Sequence, residues 1–439
     1  MVTIVERYMQ KFKKSAQLYR QGEDTIPGGG HQSRVVHPFP HYVNEARGAL
    51  KWDVDGNELV DYNMGFGALL IGHAHPVMVE AVSKQLAKGS HMGTPSELEL
   101  RWAELIKDAM PTAERVRFTS SGTESTYLAI KLARAYTGKK MLIKFHEHYH
   151  GWHDYVSKSS GLNTQIGIPD ETLSTVIVAQ PDVAEVEQIL ENRDDIAAVI
   201  FEATGAHWGQ FPLPNPKFVH DIRALTAKHG VVMIMDEVIC GFRISRGGAQ
   251  SRFDVKPDLT TMAKIVAGGL PGGAVAGRGD ILDSISSPDE TTRIPHPGTF
   301  NGNPISAAAG IAVLELIATE PINERADTMA DLLKQSLRDS LTKLEVTGHV
   351  YGISSIVNLA LGAECSCSGE ICTLPHPELA ASMHGDKTTL IKLAMLNEGV
   401  DTMGGIGFML SSAHTENEVG RTVEAFERSL TALRNDGIL

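Results

Sequence analysis

The feature that most constrains the fold is a regular alternation of helical stretches with short apolar runs between residues 66 and 315. The runs are five to eight residues long and read RVRFT, KMLIKF, STVIV, AAVIFE and VVMIMDEV. Apolar runs of this length indicate strands that are buried on both faces. Strands that alternate with helices predict a largely parallel sheet covered by helices, which is an α/β fold.

The sequence predicts three regions along its 439 residues, a length that is large for a single hydrophobic core. Residues 1–65 are expected to form an N-terminal segment that packs with the small domain. Residues 66–315 are expected to form the large domain, and residues 316–439 a smaller α+β domain that contains two long amphipathic helices.

Turn and cap residues locate several elements more closely. Asp55-Gly56 supplies the turn of a hairpin between the alternating strands of LKWDVDGNELVDY. The helix in TPSELELRWAELI is expected to be capped by Thr94, and the last helix is expected to begin with a capping box from Thr415 to Glu418.

Composition argues against several classes of protein. The net charge of -13 is unlike that of a nucleic-acid-binding surface, and no stretch reaches the roughly 18 apolar residues that a membrane span needs. The opening segment has Ile4, Tyr8 and Phe12 on one helical stripe, rather than the pattern of a signal peptide. We therefore expect a cytoplasmic protein whose partners include neither nucleic acid nor a membrane.

Three of the four cysteines lie close together in the sequence, at Cys365, Cys367 and Cys372. With His376 nearby they suggest a zinc site, but the C-x-C spacing lacks the usual geometry of a C-x2-C knuckle. The sequence therefore favours a thiol-bearing surface insertion, and we expect no metal.

The stretch SSGTE marks a candidate anion site at a strand-to-helix junction. Ser120, Ser121, Gly122 and Thr123 would lie where free backbone N–H groups and the positive end of a helix favour a phosphate dianion. The same residues also suit an ordinary capped helix, so this stretch alone leaves both interpretations open.

The stretch KFHEHYHGWHDY contains four histidines, which are His146, His148, His150 and His153. Their spacing along a loop does not give the i, i+4 geometry of a helical metal site. We favour Tyr149 instead, as an aromatic residue that stacks on a flat ring.

Asp236 and Lys264 indicate the chemistry most strongly. Asp236 follows five apolar residues, so we expect it at the carboxyl end of a buried strand, where its charge needs a cation such as a protonated pyridine nitrogen. Lys264 precedes a glycine-rich stretch, and burial would lower its pKa toward the neutral amine that covalent catalysis requires. Together they predict pyridoxal 5'-phosphate as the cofactor, while Glu237 is expected to be structural.

Three residues are candidates for holding the substrate. Arg34, in the loop GGGHQSRVV, would grip a carboxylate through its bidentate guanidinium, although most arginines lie exposed at the surface. Arg243 and His207 are secondary candidates. His207 would alternatively hydrogen-bond to the phenolic oxygen of the cofactor.

Five motifs resemble those of class III pyridoxal-phosphate-dependent aminotransferases of fold type I, in order and in approximate separation. They are SSGTE, YHGWHD, DEVICGF, AKIVAGGLPGG and PGTFNGNP, and the resemblance covers nearly the whole chain. It implies a large cofactor-binding domain with a mostly parallel sheet sandwiched by helices, a smaller α+β domain, and a homodimer with its active sites at the interface.

The resemblance also implies roles for single residues around the phosphate. Ser121, Gly122 and Thr123 match the phosphate-binding turn, and Lys264 matches the Schiff-base lysine. Thr299 matches a threonine that reaches the phosphate of the neighbouring subunit.

Around the ring of the cofactor, Tyr149 and Val238 match the residues that pack on its two faces. Asp236 matches the partner of the pyridinium nitrogen. Glu202 and His207 are also expected to belong to the cofactor site.

Within the family the chain looks most like the branch of the glutamate-1-semialdehyde aminomutases, with two departures. Aminomutases carry a Phe-Glu pair before the glycine that matches Gly407, where this chain has Gly-Gly-Ile at 404–406. They also carry an Asn beyond the glutamate that matches Glu202, where this chain has His207. At these two positions the chain resembles D-phenylglycine aminotransferase, a member of the same branch.

We therefore expect an aminotransferase that moves an amino group between an amino acid and a 2-oxo acid by a ping-pong mechanism. D-aryl and β-amino acids are among the expected donors. A glutamate-1-semialdehyde aminomutase-like isomerase or an amino-acid racemase stays open as the alternative, because it would use the same lysine and aspartate.

Overall fold

The computed structural model describes residues 2–30, 37–159, 165–207, 211–213, 215, 217–365, 367, 372, 374–383, 386–404 and 407–439. Its strands are β1 (Val43–Arg47), β2 (Leu50–Asp53), β3 (Glu58–Asp61), β4 (Arg115–Thr119), β5 (Met141–Phe145), β6 (Val176–Ala179), β7 (Ile196–Glu202), β8 (Gly205–Ala206), β9 (Phe211–Pro212), β10 (Val232–Asp236), β11 (Leu259–Ala263), β12 (Gly273–Gly277), β13 (Gly348–Tyr351), β14 (Ile356–Leu361), β15 (Val400–Asp401) and β16 (Gly407–Met409).

The α-helices are α1 (Ile4–Lys11), α2 (Lys13–Glu23), α3 (Met64–Gly67), α4 (Pro76–Leu86), α5 (Glu97–Ala109), α6 (Gly122–Thr137), α7 (Asp170–Leu173), α8 (Val183–Asn192), α9 (Phe218–His229), α10 (Gly248–Arg252), α11 (Gly279–Leu282), α12 (Pro304–Thr319), α13 (Ile322–Lys343), α14 (His376–Met383), α15 (Asp386–Asn397) and α16 (Glu416–Asn435). Short 3-10 turns occupy Lys264–Ala267 and Asp283–Ser286.

The chain divides into two compact units. The large unit is Pro76–Pro321, and the small unit combines the residues up to His75 with Ile322–Leu439. The boundaries therefore lie ten and six residues beyond those expected at 65 and 315. The small unit contains the N-terminal segment as well as the C-terminal region.

A seven-stranded sheet forms the centre of the large unit, in the order β4-β12-β11-β10-β7-β5-β6. Strand β12 runs antiparallel to both of its neighbours, and the pairs from β11 to β6 are parallel. All five predicted apolar runs are strands of this sheet, which confirms the α/β fold. The sequence pattern missed two strands of this sheet: β11, whose LTTMA sequence is not an apolar run, and β12, whose GAVAG sequence has one β-branched residue.

Buried side chains fix helix α6 to the sheet. Leu128 of α6 packs in one apolar cluster with Ile200 of β7 and Ile234 of β10. Strand β4 runs in the same direction as the parallel strands and ends at Thr119, so α6, which follows it, begins at the edge where those strands end. The register also places Asp236 beside Glu202 on one neighbouring strand and beside Thr261 on the other.

The small unit contains a four-stranded sheet, β1-β2-β3-β15, and a three-stranded sheet, β13-β14-β16. The predicted hairpin is confirmed: β2 pairs with β3 in antiparallel register, and Gly56 has a φ of 88°. The predicted opening helix is α1, which buries Ile4 and Tyr8. Helix α16 begins with the predicted capping box between Thr415 and Glu418.

The predicted cap of α5 was wrong. Ser96, not Thr94, precedes the first helical residue, with an extended backbone at φ -125° and ψ 158°. The Ser96 side chain makes no capping hydrogen bond. Thr94 lies three positions before the helix, which is too far to accept from its first turn.

Among the described residues, no single helix is both long and apolar enough to cross a membrane. One bent pair, Pro304–Thr319 with Ile322–Lys343, reaches that length and composition only as a pair.

Candidate active site

The SSGTE stretch forms the N-terminus of helix α6, as expected for an anion site. Ser121 is the N-cap residue, and its hydroxyl accepts a hydrogen bond from the Glu124 amide at 3.2 Å. The Glu124 carboxylate in turn accepts from the Ser120 amide at 2.7 Å. Gly122 and Thr123 occupy the first helical positions, where amides have no intrahelical acceptor and can donate to a phosphate.

Two glycines allow this turn to pack closely against its neighbours. A Cβ atom on Gly122 would lie 3.0 Å from both γ-methyl groups of Val238. A Cβ atom on Gly151 would lie 2.6 Å from Oγ1 of Thr123, and Gly151 also has a φ of 103°. The phosphate turn therefore contacts both Val238 and the histidine-rich loop.

Asp236 is 4% exposed at the end of β10 and is held from three sides. His150 Nδ1 lies 2.7 Å from its Oδ2 atom, while the Thr261 hydroxyl and the Val238 amide donate to Oδ1 at 3.1 and 3.0 Å. A carboxylate has about four acceptor sites, so Asp236 can still accept from a ring N–H. His150 Nε2 is buried and has no hydrogen-bond partner in the part of the chain that the structure describes.

Glu202, at the end of β7, organises a second set of contacts. Its Oε1 atom accepts from the Tyr149 amide at 2.7 Å, and its Oε2 atom accepts from the His207 amide at 3.1 Å. Nδ1 of His207 lies 2.5 Å from the same Oε2, and its Nε2 lies 2.8 Å from the Thr204 hydroxyl. Glu202 therefore positions Tyr149 and His207 within the site.

Lys264 directly follows β11, two strands from Glu202 and one from Asp236. Its backbone has a φ of 59°, a left-handed conformation that costs a non-glycine residue on the order of 1 kcal/mol and that occurs often at functional sites. Burial lowers the pKa of the Lys264 amine to about 8, against the opposing effect of the Glu202 and Asp236 carboxylates. The amine is therefore partly neutral near neutral pH.

The other predicted residues lie in different surroundings. Arg243 is fully buried, and its charge contributes to the lowered pKa of Lys264. Its predicted contact with a substrate carboxylate would require the guanidinium to become accessible, and it stays a prediction. Arg34 lies outside the described residues.

Thr299 lies on an exposed loop of the large unit. The Thr299 carbonyl accepts a hydrogen bond from His91, and Asn301 Oδ1 lies 3.2 Å from the Ser120 hydroxyl. This loop and residues 91–96 line a cavity of about 490 Å³.

Three site features escaped the sequence interpretation. The sequence does not distinguish His150 from the other three histidines of its stretch, although Tyr149 next to it indicates that this part of the loop lies at the site. Gly151 is in the motif YHGWHD, where its close approach to Thr123 has no signal in the sequence. The contact of Thr261 with Asp236 depends on strand register, which a single sequence does not reveal.

These groups fit one cofactor. Pyridoxal 5'-phosphate carries a dianionic phosphate, a ring nitrogen that a carboxylate stabilises when protonated, and an aldehyde that reacts with a lysine. The N-terminus of α6 can hold the phosphate, Asp236 the ring nitrogen and Lys264 the aldehyde. All three lie at the carboxyl edge of one sheet. The fold and the site therefore define a pyridoxal-phosphate-dependent enzyme of fold type I.

Comparison with known proteins identifies the family. The family model "Aminotransferase class-III" matches residues 31–372. A glutamate-1-semialdehyde 2,1-aminomutase of Methanosarcina acetivorans is 37% identical over 432 residues, which is 95% of this chain and 98% of that protein. The chain belongs to the class III aminotransferases, and it is an enzyme whose cofactor is pyridoxal 5'-phosphate.

Two solved structures are similar over almost their full lengths. An omega-transaminase from Sphaerobacter thermophilus has a TM-score of 0.87 at 32% identity and is covered over 98% of its chain, with 96% of this chain covered. A transaminase with pyridoxal phosphate bound has a TM-score of 0.87 at 30% identity, with 98% of this chain and 99% of that chain covered.

Proposed function

We propose that this enzyme is an aminotransferase that moves an amino group from an amino acid to a 2-oxo acid by a ping-pong mechanism. The observation that carries the proposal is the position of Lys264, which follows β11 beside the strand that ends at Asp236. Burial lowers the pKa of its amine to about 8. A group with a pKa near the working pH can both accept and return a proton.

Each residue then has a task in the reaction. The bound cofactor supplies an electron sink that stabilises negative charge on the substrate carbon. Lys264 would move the proton of that carbon to the former aldehyde carbon of the cofactor, and Asp236 would keep the ring nitrogen protonated. The amides of Gly122 and Thr123 hold the phosphate, and Tyr149 and Val238 confine the ring between them.

The substrate carboxylate is assigned to Arg34, whose guanidinium offers paired donors. Replacing Arg34 with Ala is expected to raise the KM for carboxylate substrates while changing kcat little. Activity on an amine without a carboxylate should be unaffected, and an unchanged KM for the amino acid would remove Arg34 from this role.

The choice between aminotransferase and aminomutase depends on two departures from the aminomutase pattern. His207 stands where aminomutases carry an Asn, and both of its ring nitrogens have partners in Glu202 and Thr204. The second departure, at 404–406, lies partly outside the described residues. The relative from Methanosarcina acetivorans is named an aminomutase, so an isomerase is the second candidate.

We also propose that the active enzyme is a homodimer in which Thr299 reaches the phosphate of the neighbouring subunit. The exposure of Thr299 and of Phe300, which is 59% exposed, supports this role. Replacing Thr299 with Ala should weaken cofactor binding. Unchanged cofactor affinity, or a monomeric enzyme with full activity, would contradict the proposal.

The deciding experiment supplies single amino donors without any oxo-acid acceptor. D- and L-aryl amino acids, β-amino acids and glutamate 1-semialdehyde would be added to concentrated enzyme, and the oxo product would be counted per active site. An aminotransferase releases one equivalent and stops until a 2-oxo acid is added. Many turnovers of glutamate 1-semialdehyde or of an amino acid's enantiomers without acceptor would instead establish the isomerase.

A further inference from the structure

Three cysteines and one histidine meet in the small unit, whereas the residues assigned to the cofactor belong to the large unit. They are His349 in β13, and Cys365, Cys367 and Cys372 in the segment after β14. One ligand atom from each side chain lies within 4.8 Å of all the others. The side chain of His376, the histidine that the sequence suggested, lies outside the described residues. The structure brings His349 to the cysteines because β13 pairs with β14 and returns to the start of the cysteine segment.

The separations of these atoms are close to those around a small tetrahedral ion. With Zn–S bonds of about 2.3 Å and tetrahedral angles, two sulfur ligands lie about 3.8 Å apart. Cys372 Sγ is 3.9 Å from Cys365 Sγ, and Cys367 Sγ is 3.3 Å from His349 Nε2. Cys365 Sγ and Cys367 Sγ are 2.9 Å apart, so these two sulfurs would move apart by about 1 Å around an ion.

The surroundings prepare the side chains for this role. The Cys367 amide donates to the Cys365 sulfur at 3.5 Å, and such N–H groups stabilise a thiolate. The His349 ring stacks on Tyr351, with ring centres 5.4 Å apart and planes 12° apart, which holds the imidazole in one orientation. His349 and Cys372 are 5% and 2% exposed, so these two ligand side chains are buried, while Cys365 and Cys367 are partly exposed.

The charge of the site is also accommodated. Three thiolates and one neutral imidazole around a divalent cation leave one net negative charge. Arg338 lines the same cavity of about 940 Å³ as His349, Cys365 and Cys367, and supplies a nearby positive charge.

We infer that His349, Cys365, Cys367 and Cys372 bind one zinc ion in a structural Cys3His site. Thiolate and imidazole ligands favour Zn²⁺ over the hard cations Mg²⁺ and Ca²⁺. Four protein ligands fill the tetrahedral shell and leave no position for a substrate, so the ion would tie the cysteine segment to β13 rather than take part in catalysis.

The test is the metal content of the full-length enzyme, purified with its cofactor and without chelators. Zinc per chain would be measured by plasma mass spectrometry for the wild type, Cys372→Ser and His349→Gln. The matched control is Cys240→Ser, which changes the one cysteine outside the cluster. We expect one zinc in the wild type and in the control, and a loss of at least tenfold in both cluster variants.

A second measurement covers the case in which a cluster variant does not fold. Cobalt(II) would be titrated into zinc-depleted wild-type enzyme, where three thiolate ligands give strong charge-transfer absorption and tetrahedral cobalt gives intense visible bands. Saturation at one equivalent, reversed by zinc, is the expected result. The inference is overturned if wild-type enzyme takes up neither metal, if cluster variants keep their zinc, or if mass spectrometry finds a disulfide between Cys365 and Cys367 in enzyme purified from the cell.

Discussion

His150 Nδ1 lies 2.7 Å from Oδ2 of Asp236, in a pair whose side chains are almost completely enclosed. The Thr261 hydroxyl holds the other oxygen of the carboxylate. The plane of the carboxylate is therefore fixed before the ring of the cofactor arrives. Electrostatic stabilisation by a group that needs no reorganisation is usually the largest contribution to catalysis.

Replacing His150 with Ala is expected to lower kcat about tenfold to a hundredfold, because a buried hydrogen-bond partner is worth about 1–3 kcal/mol. The cofactor should still be bound, since the phosphate turn and Lys264 are unchanged. Steady-state kinetics of cofactor-saturated enzyme measure the effect. His146→Ala is the control from the same loop, because His146 bonds to Ser159 and not to Asp236.

Lys264 predicts a pH dependence of cofactor uptake. Burial lowers the pKa of its amine to about 8, and only the neutral amine attacks the aldehyde. The rate at which cofactor-free enzyme captures pyridoxal phosphate should therefore rise about tenfold per pH unit below pH 8 and level off above it. A rate that still climbs up to pH 10.5 would mean that the amine is not buried.

Arg243 offers a check on the cause of this shift. Its positive charge helps to lower the pKa of Lys264. Circular dichroism would first show that the Arg243→Gln variant is folded. Its rate of cofactor capture should then level off at a higher pH than that of the wild type. A plateau that stays at the same pH would show that the charge of Arg243 does not contribute to the pKa of Lys264.

Gly122 predicts the effect of one added methyl group. In Gly122→Ala the new Cβ meets the methyl groups of Val238 at 3.0 Å, and overpacking of this kind costs about 1–3 kcal/mol. Cofactor affinity should fall about tenfold or more, as measured by equilibrium titration of cofactor-free enzyme. Gly420→Ala in helix α16 has open space within 4 Å and should instead stabilise the fold by about 0.5–1 kcal/mol.

The N-cap residues of α16 and α5 predict different losses of unfolding free energy when each is replaced with Ala. The Thr415 hydroxyl accepts from the Asn417 amide at 3.2 Å, so Thr415→Ala should cost about 1 kcal/mol of unfolding free energy. The Ser96 hydroxyl is buried and has no hydrogen-bond partner among the described residues, so Ser96→Ala should cost almost nothing. Urea unfolding of both variants checks the pair, and equal losses would contradict it.

The sequence predicted the parts of the molecule that depend on local pattern. The apolar runs located five strands of the large sheet, and the strand that ends at Asp236 placed that carboxylate at the functional edge. Strand β11 escaped because two threonines interrupt the apolar run of LTTMA. Strand β12 escaped because GAVAG lacks the side chains that mark a strand, and its pairing with β4 and β11 decides its conformation. Tertiary contact overrode local propensity there.

Contacts between distant residues could not be predicted from a single sequence. His150 and Asp236 are 86 residues apart, and their hydrogen bond depends on how a loop returns to the sheet. His349 reaches the cysteine segment only through the register of β13 and β14. The cap at Ser96 was missed for a local reason, because Thr94 and Glu97 have the spacing of a capping box.

The most direct test of the account is to find the lysine that bonds to the cofactor. Enzyme with bound pyridoxal phosphate would be reduced with sodium borohydride, which makes that bond permanent, then digested and analysed by mass spectrometry. We predict the label on Lys264, and no label or turnover in Lys264→Ala. A label on another buried lysine, such as Lys144, whose pKa burial lowers to about 7, would contradict the assignment of the active site.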